Sequence, residues 1–275
     1  MLKKDEVIDL MEPRAGIAAV LPLVLGILFA KYNYGVISWT HSLIFGVVAI
    51  LMQLTVNTWN NISDYRKNDG KWSEESVNNS IQDGKSSERR AWILLAIELV
   101  VVVLGGLFLV VRSAIGPWIL DLGLIAAVIG YLYSGRKFAL SWTPFGELFS
   151  GVTMGFIIFL AAVLVNVNQI TPKLFWSVAL TSVIAITAIA NIMLANNLSD
   201  YEEDKRMNRH TLVYYAGVKN SLIIFAALYV TGYATNAFAI LLGYLPWTAV
   251  LVYLSIPVVV TNVMAFFKLQ SKKDT

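Results

Sequence analysis

Residues 60–65 read NNISDY and residues 196–201 read NNLSDY. A polar hexapeptide written twice, 136 positions apart in a chain of 275 residues, points to an internal repeat of about half the length. What the repeat serves follows from its surroundings, which are apolar. Hydrophobic residues make up 57% of the chain and charged residues 14%, against about 25% charge in soluble domains, so the composition suits lipid. Apolar runs of about the 20 residues needed to span a bilayer recur near 15–32, 37–58, 91–111, 115–135, 145–166, 174–195, 219–242 and 246–267. The expectation is an all-α polytopic membrane protein with eight spans. A ninth is left open, because GYLPW (243–247) is the only punctuation before the last run.

Basic residues orient the chain. With the N-terminus inside, all of the 21 Lys and Arg except Lys31, Arg112 and Lys173 fall on the cytoplasmic side. Most tryptophans lie near span ends, as an interfacial belt requires. There is no cysteine, so thiolate and disulfide chemistry are excluded. The N-terminus is polar and lacks a cleavage-like site, so no removable signal peptide is expected. The net charge of +3 is modest and gives no reason to expect nucleic-acid binding.

In this topology both hexapeptides end equivalent spans, the second and the sixth. The chain therefore reads as one membrane domain of two parallel pseudo-repeats of four spans, about 12–137 and 143–268, around a central cavity. Its longer loops, about 62–90 and 199–218, lie on the cytoplasmic side. Asn57, Asn60 or Asn61, Asp64 and Asn68 recur every three to four residues and line one helix face; Asn197, Asp200 and Asp204 do the same. Asp within a span costs about 2.5–3.5 kcal/mol, so these faces need compensation. Mg²⁺ supplies it, since it takes hard oxygen ligands and keeps waters and substrate phosphates in its shell. A diphosphate bridged between two Mg²⁺-bearing faces is the simplest chemistry that requires the sequence twice. The plain alternative is helix-end solvation by Asn and Asp; it suits either copy alone better than the matched pair.

On these residues the chain resembles the intramembrane aromatic prenyltransferases, which carry an N-D-x-x-D-x-x-x-D motif after the second span and D-x-x-x-D after the sixth. Here they read NNISDYRKND (60–69) and DYEED (200–204). The subgroup it is most similar to is the 1,4-dihydroxy-2-naphthoate prenyltransferases of menaquinone synthesis. NNLSDYEEDKRMNRHTLVYYAG (196–217), YLYSGRKFALSWTPFGE (131–147) and EPRAGIAAVLPLVLG (12–26) match stretches of that group in order. The chain departs from the pattern at Asn61, which replaces Asp, at Asn68, which replaces the last Asp or Gly, at Ser199, which replaces Arg, and at Lys137, which replaces Pro.

The resemblance implies Mg²⁺-dependent transfer of a polyprenyl group from its diphosphate to an aromatic acceptor in the cell membrane of a bacterium, with the active site facing the cytoplasm. The implied acceptor is dihydroxynaphthoate, giving demethylmenaquinone; 4-hydroxybenzoate is the alternative. Asn60, Asn61, Asp64 and Asn68 (with Asp69 beside it) would serve one Mg²⁺, and Asn197, Asp200 and Asp204 the other. Asp64 and Asp200 would also be catalytic. Asn57, Arg66, Lys67, Lys137 and Lys205 would touch substrate, although inside-loop topology alone accounts equally well for each cation. Tyr131 and Tyr133 would offer π faces to the allylic cation, or else belong to the interfacial belt. Glu147 would lie at the pocket, unless it only complements a helix N-terminus after Thr143 and Pro144. Glu98, ionisable in mid-span, would meet substrate or a polar partner on another helix. The polar loop 67–85 would close over bound substrate. A transporter built from parallel repeats is the rival class, but it would carry its polar residues near the midplane, not at one edge.

Overall fold

The computed structural model describes residues 3–13, 15–67, 79–81, 83–135 and 139–271. Asn68, Asp69, Lys137, the Lys67 side chain and most of the 67–85 loop lie outside them. Among the described residues the chain is helical, and the elements run α1 (Lys4–Met11), α2 (Ile17–Tyr34), α3 (Trp39–Lys67), α4 (Glu88–Arg112), α5 (Gly116–Tyr133), α6 (Gly146–Ser150), α7 (Ile158–Val167), α8 (Pro172–Thr181), α9 (Val183–Ser199), α10 (Tyr201–Arg206), α11 (Leu212–Leu241) and α12 (Ile256–Ser271). A π-helical segment, Gly151–Ile157, joins α6 to α7, so Gly146–Val167 forms one span. A 3₁₀ segment, Trp247–Ser255, leads into α12. Seven helices are long and apolar enough to cross a membrane. The pair α8 and α9, bent by 42° at Ser182, makes an eighth. No ninth appears among the described residues.

Local chemistry accounts for the boundaries. Ser87 caps α4 by accepting from the Arg90 N–H, and Thr171 caps α8 by accepting from Leu174, with Pro172 at the first helical position. Gly217 takes φ 75°, a left-handed value that interrupts α11 near the start of the seventh apolar run. Gly243, at φ 74°, makes the turn into the last span. That last span is peripheral, with none of its residues buried.

Two short helices were not expected from the sequence. The eight-residue α1 lies before the first span and tucks Leu10 under Ile62 of α3 in a cluster with Leu94 and Leu95 of α4. Its buried Glu6 meets Arg90 at 3.0 Å. The α10 helix falls within 199–218, which reads as loop because six polar residues carry no apolar period. The first and fifth spans form the main joint between the two sets of four. At Gly26 the backbones approach so closely that a Cβ would lie 2.6 Å from the Phe159 carbonyl oxygen and 2.7 Å from Ala162 Cβ. By contrast, α3 and α9, which carry the hexapeptides, pack mainly within their own sets, although Phe45 and Ala49 of α3 also meet Ala161 and Ala162 of α7, and the two share no substantial interface with each other.

Candidate functional site

The first hexapeptide ends α3, and its residues divide by helix face. Asn57 and Asn61, one turn apart, turn toward α1: the Asn57 amide donates to the Met11 carbonyl at 2.9 Å. Asn61 is buried, and its Nδ2 lies 3.3 Å from Glu12 Oε1, 3.4 Å from the Leu10 carbonyl and 3.2 Å from the Asn57 carbonyl. Its Oδ1 accepts from the Ser80 N–H at 3.2 Å, and its own carbonyl accepts from Asn79 at 2.9 Å. Asn61, expected as a metal ligand, is thus the node that ties α1 and residues 79–81 to α3. Asn57, expected at the substrate, is spent on α1 in the same way. Asn60 and Asp64 form a separate half-buried pair, also one turn apart. Ser63 ties the same turn to the Ser134 carbonyl beyond α5.

Several expected substrate contacts are directed elsewhere. Arg66 Nε bonds Glu88 Oε1, and the guanidinium lies 5.0 Å over the Trp92 ring. Tyr131 is exposed and stacks on Trp59 at 5.3 Å, whose Nε1 donates to the Tyr131 carbonyl. Together these residues cover an α3–α4–α5 face rather than a buried cleft. Glu98 Oε1 accepts a hydrogen bond from the Thr58 hydroxyl of α3 at 3.1 Å and so meets its polar partner on a neighbouring helix.

The second hexapeptide ends α9 and is continued by α10. Asn197 is buried and donates to Glu147 Oε1 at 2.8 Å. Asn196 and Asp200 are exposed and one turn apart, matching Asn60 and Asp64 in the repeat. Sequence reading passed over Asn196 in favour of Asn197; laying one hexapeptide on the other would have singled it out. Asp204, one turn beyond Asp200, is buried with Oδ1 3.0 Å from Arg209 Nη1, an ionic contact without an aligned N–H. Arg209 is held from the other side by Trp142, whose ring it covers at 5.6 Å, and the Trp142 carbonyl accepts from the His210 N–H. Burial pushes the Asp204 carboxyl up to about 6. Arg209 opposes that rise, while Asp200, Glu203 and Glu147 reinforce it. Lys205 turns back onto Glu202 at 3.3 Å and the Tyr201 ring at 4.3 Å.

These groups make an anionic pocket short of donors. Both Asp204 oxygens, Glu147 Oε2 and the Tyr133 hydroxyl are buried without a hydrogen-bond partner. Buried acidic oxygens call for positive charge, which Arg209 supplies to Asp204 Oδ1 alone, and hard carboxylate and amide oxygens fit Mg²⁺. Among the described residues no three His, Cys, Asp or Glu side chains converge into a closed metal cage. Mg²⁺ commonly takes one or two carboxylates per site and completes its shell with water and substrate phosphate. A cavity of about 520 Å³ lies toward the other end of the bundle, lined mainly by apolar side chains of α2, α9, α11 and the 3₁₀ segment, including Phe29, Tyr32, Tyr229 and Pro246. Asn236 reaches its wall with a buried, unpaired Oδ1.

The model of the UbiA prenyltransferase family matches residues 19–275. The 1,4-dihydroxy-2-naphthoate octaprenyltransferase of Bacillus subtilis (strain 168) is 29% identical over 262 residues, covering 94% of this chain and 81% of that protein. The 2-carboxy-1,4-naphthoquinone phytyltransferase of Synechocystis is 22% identical, covering 90% of this chain and 78% of that protein. Among solved structures, a UbiA homolog from Archaeoglobus fulgidus bound to GPP and Mg²⁺ superposes with a TM-score of 0.68 at 17% identity, over 96% of this chain and 86% of its own. That likeness concerns the fold.

Proposed function

The chain belongs to the UbiA prenyltransferase family, and from that premise we propose that it transfers a polyprenyl group from polyprenyl diphosphate to 1,4-dihydroxy-2-naphthoate, at the cytoplasmic end of one membrane domain spanning both repeat halves. The observation that carries this reading is the doubled stripe Asn60/Asp64 and Asn196/Asp200 beside the buried carboxylate of Asp204. Mg²⁺, when bound, supplies positive charge where the diphosphate leaves. Asn60 and Asp64 would hold one ion, Asp200 and Asp204 the other with help from Asn196. Arg209, 3.0 Å from Asp204, would balance its charge when no ion is bound. Lys67, two residues past the first hexapeptide, and Lys137, four residues past Tyr133, are the cations proposed for phosphate oxygens. The allylic carbon–oxygen bond breaks, the acceptor ring forms the new carbon–carbon bond, and its carboxylate departs as CO₂. Tyr133, on the wall of the pocket, helps to keep water from the cation. The apolar cavity toward the other end offers room for the chain behind the reacting isoprene.

The test uses protein in nanodiscs with a polyprenyl diphosphate, dihydroxynaphthoate or 4-hydroxybenzoate, and Mg²⁺ or EDTA, with product read by mass spectrometry. Mg²⁺-dependent product from dihydroxynaphthoate, lost in Asp64→Ala and Asp200→Ala, supports the reading. Product from hydroxybenzoate alone keeps the diphosphate clamp and overturns the acceptor. No product from either acceptor, with the fold intact, removes the transferase reading.

A further inference from the structure

The two buried motif asparagines share an arrangement that repeats along with the hexapeptide. Asn61 and Asn197 occupy its second position, 136 residues apart. Each directs Nδ2 to the Oε1 of a glutamate, Glu12 at 3.3 Å and Glu147 at 2.8 Å. The glutamates hold equivalent places. Glu12 ends α1 just before the first span, and Glu147 lies in the first turn of α6, where the fifth span begins. Neither glutamate falls within a hexapeptide or near it in sequence.

We propose that Glu12 and Glu147 are paired positioning residues: each braces its half's motif asparagine and thereby sets the rotation of the metal-bearing stripe beside it. The proposal rests on the Mg²⁺-clamp reading above. Adjacent residues on an α-helix point about 100° apart, so fixing the direction of Asn61 fixes that of Asn60 and, one turn on, Asp64. The same holds for Asn197 with Asn196 and Asp200. A carboxylate can only accept, so it holds the asparagine with its amide nitrogen inward and allows one orientation. Burying Glu147 with Oε2 unpaired is a costly way to fill space, since an apolar side chain would pack there without that penalty. Outer carboxylates that orient ligands characteristically tune metal affinity.

The experiment titrates MgCl₂ into full-length protein in nanodiscs with inorganic pyrophosphate, by calorimetry, alongside thermal unfolding in EDTA. In Glu147→Ala the Mg²⁺ affinity should fall about 10- to 100-fold, and by less in Glu12→Ala, whose longer bond comes from an exposed residue. Glu147→Gln should stay within about threefold of wild type, because the glutamine carbonyl also accepts from Asn197. Should Glu147→Ala fail to fold, Asn197→Ser removes the same bond from the other partner and should show the same loss. Wild-type affinity in the folded alanine or serine variants overturns the brace. So does equal loss in Glu147→Gln and Glu147→Ala, which would make Glu147 a ligand acting through its charge. Wild-type protein that takes up no Mg²⁺ fails the clamp reading itself, a result distinct from either.

Discussion

The two hexapeptide ends use nearly the same six residues and are built differently around them. At the first, hydrogen bonds converge on Asn61 beneath α1 and residues 79–81, and the two ion pairs, Arg66 with Glu88 and Arg90 with Glu6, each leave the arginine partly exposed. At the second, charge is taken inside: Glu147 and Asp204 are buried, and Arg209 is drawn in between Asp204 and Trp142. The lesson is that a repeat preserves one polar helix face while each half satisfies the back of that helix with whatever its own connections supply. The carboxylates of the second end also make it the more demanding of a countercharge.

The widest test of this comparison removes one carboxylate from each stripe. Asp64→Ala and Asp200→Ala should each lower kcat/KM by on the order of 10²–10³ or more, as expected when a group that stabilises developing charge is lost; a variant that keeps near wild-type turnover would remove its stripe from the clamp. Next comes the buried ion pair of the second end. Arg209→Ala leaves Asp204 buried and unpaired and should cost about 3–5 kcal/mol in EDTA, with added Mg²⁺ restoring part of the melting temperature. A smaller loss, about 1–3 kcal/mol, is expected from Gly26→Ala at the joint between the sets of spans, because the new Cβ meets backbone at 2.6 Å; equilibrium unfolding in mixed micelles measures it. Smallest is Arg66→Ala, where a pair with the arginine side chain 47% exposed should contribute no more than about 1 kcal/mol. A drop in turnover from Arg66→Ala without a drop in stability would return Arg66 to the substrate.

Eight spans, their order and the doubled polar end were legible from the sequence because a bilayer demands about 20 apolar residues per crossing and tolerates few charges within them. The bend in the sixth span was not legible, since no proline marks Ser182 and the apolar run continues through it. Nor was α1, which is too short and too polar to show a period and is held by tertiary contacts of Leu10 and Glu6. Arg209 and Trp142 were passed over at the site for the same reason: 67 residues separate them, and only the folded chain sets one over the other.

The sequence alone determined that this is a helical membrane protein with one hexapeptide at the ends of its second and sixth spans, because hydropathy and repetition are properties of the chain read in order. Only the tertiary structure decided which of two neighbouring asparagines in each copy is buried and which is left outward. Residues 60 and 61, like 196 and 197, are chemically identical and point about 100° apart on their helix. The choice between them is made by what packs behind: α1 with Glu12 in one half, the start of α6 with Glu147 in the other.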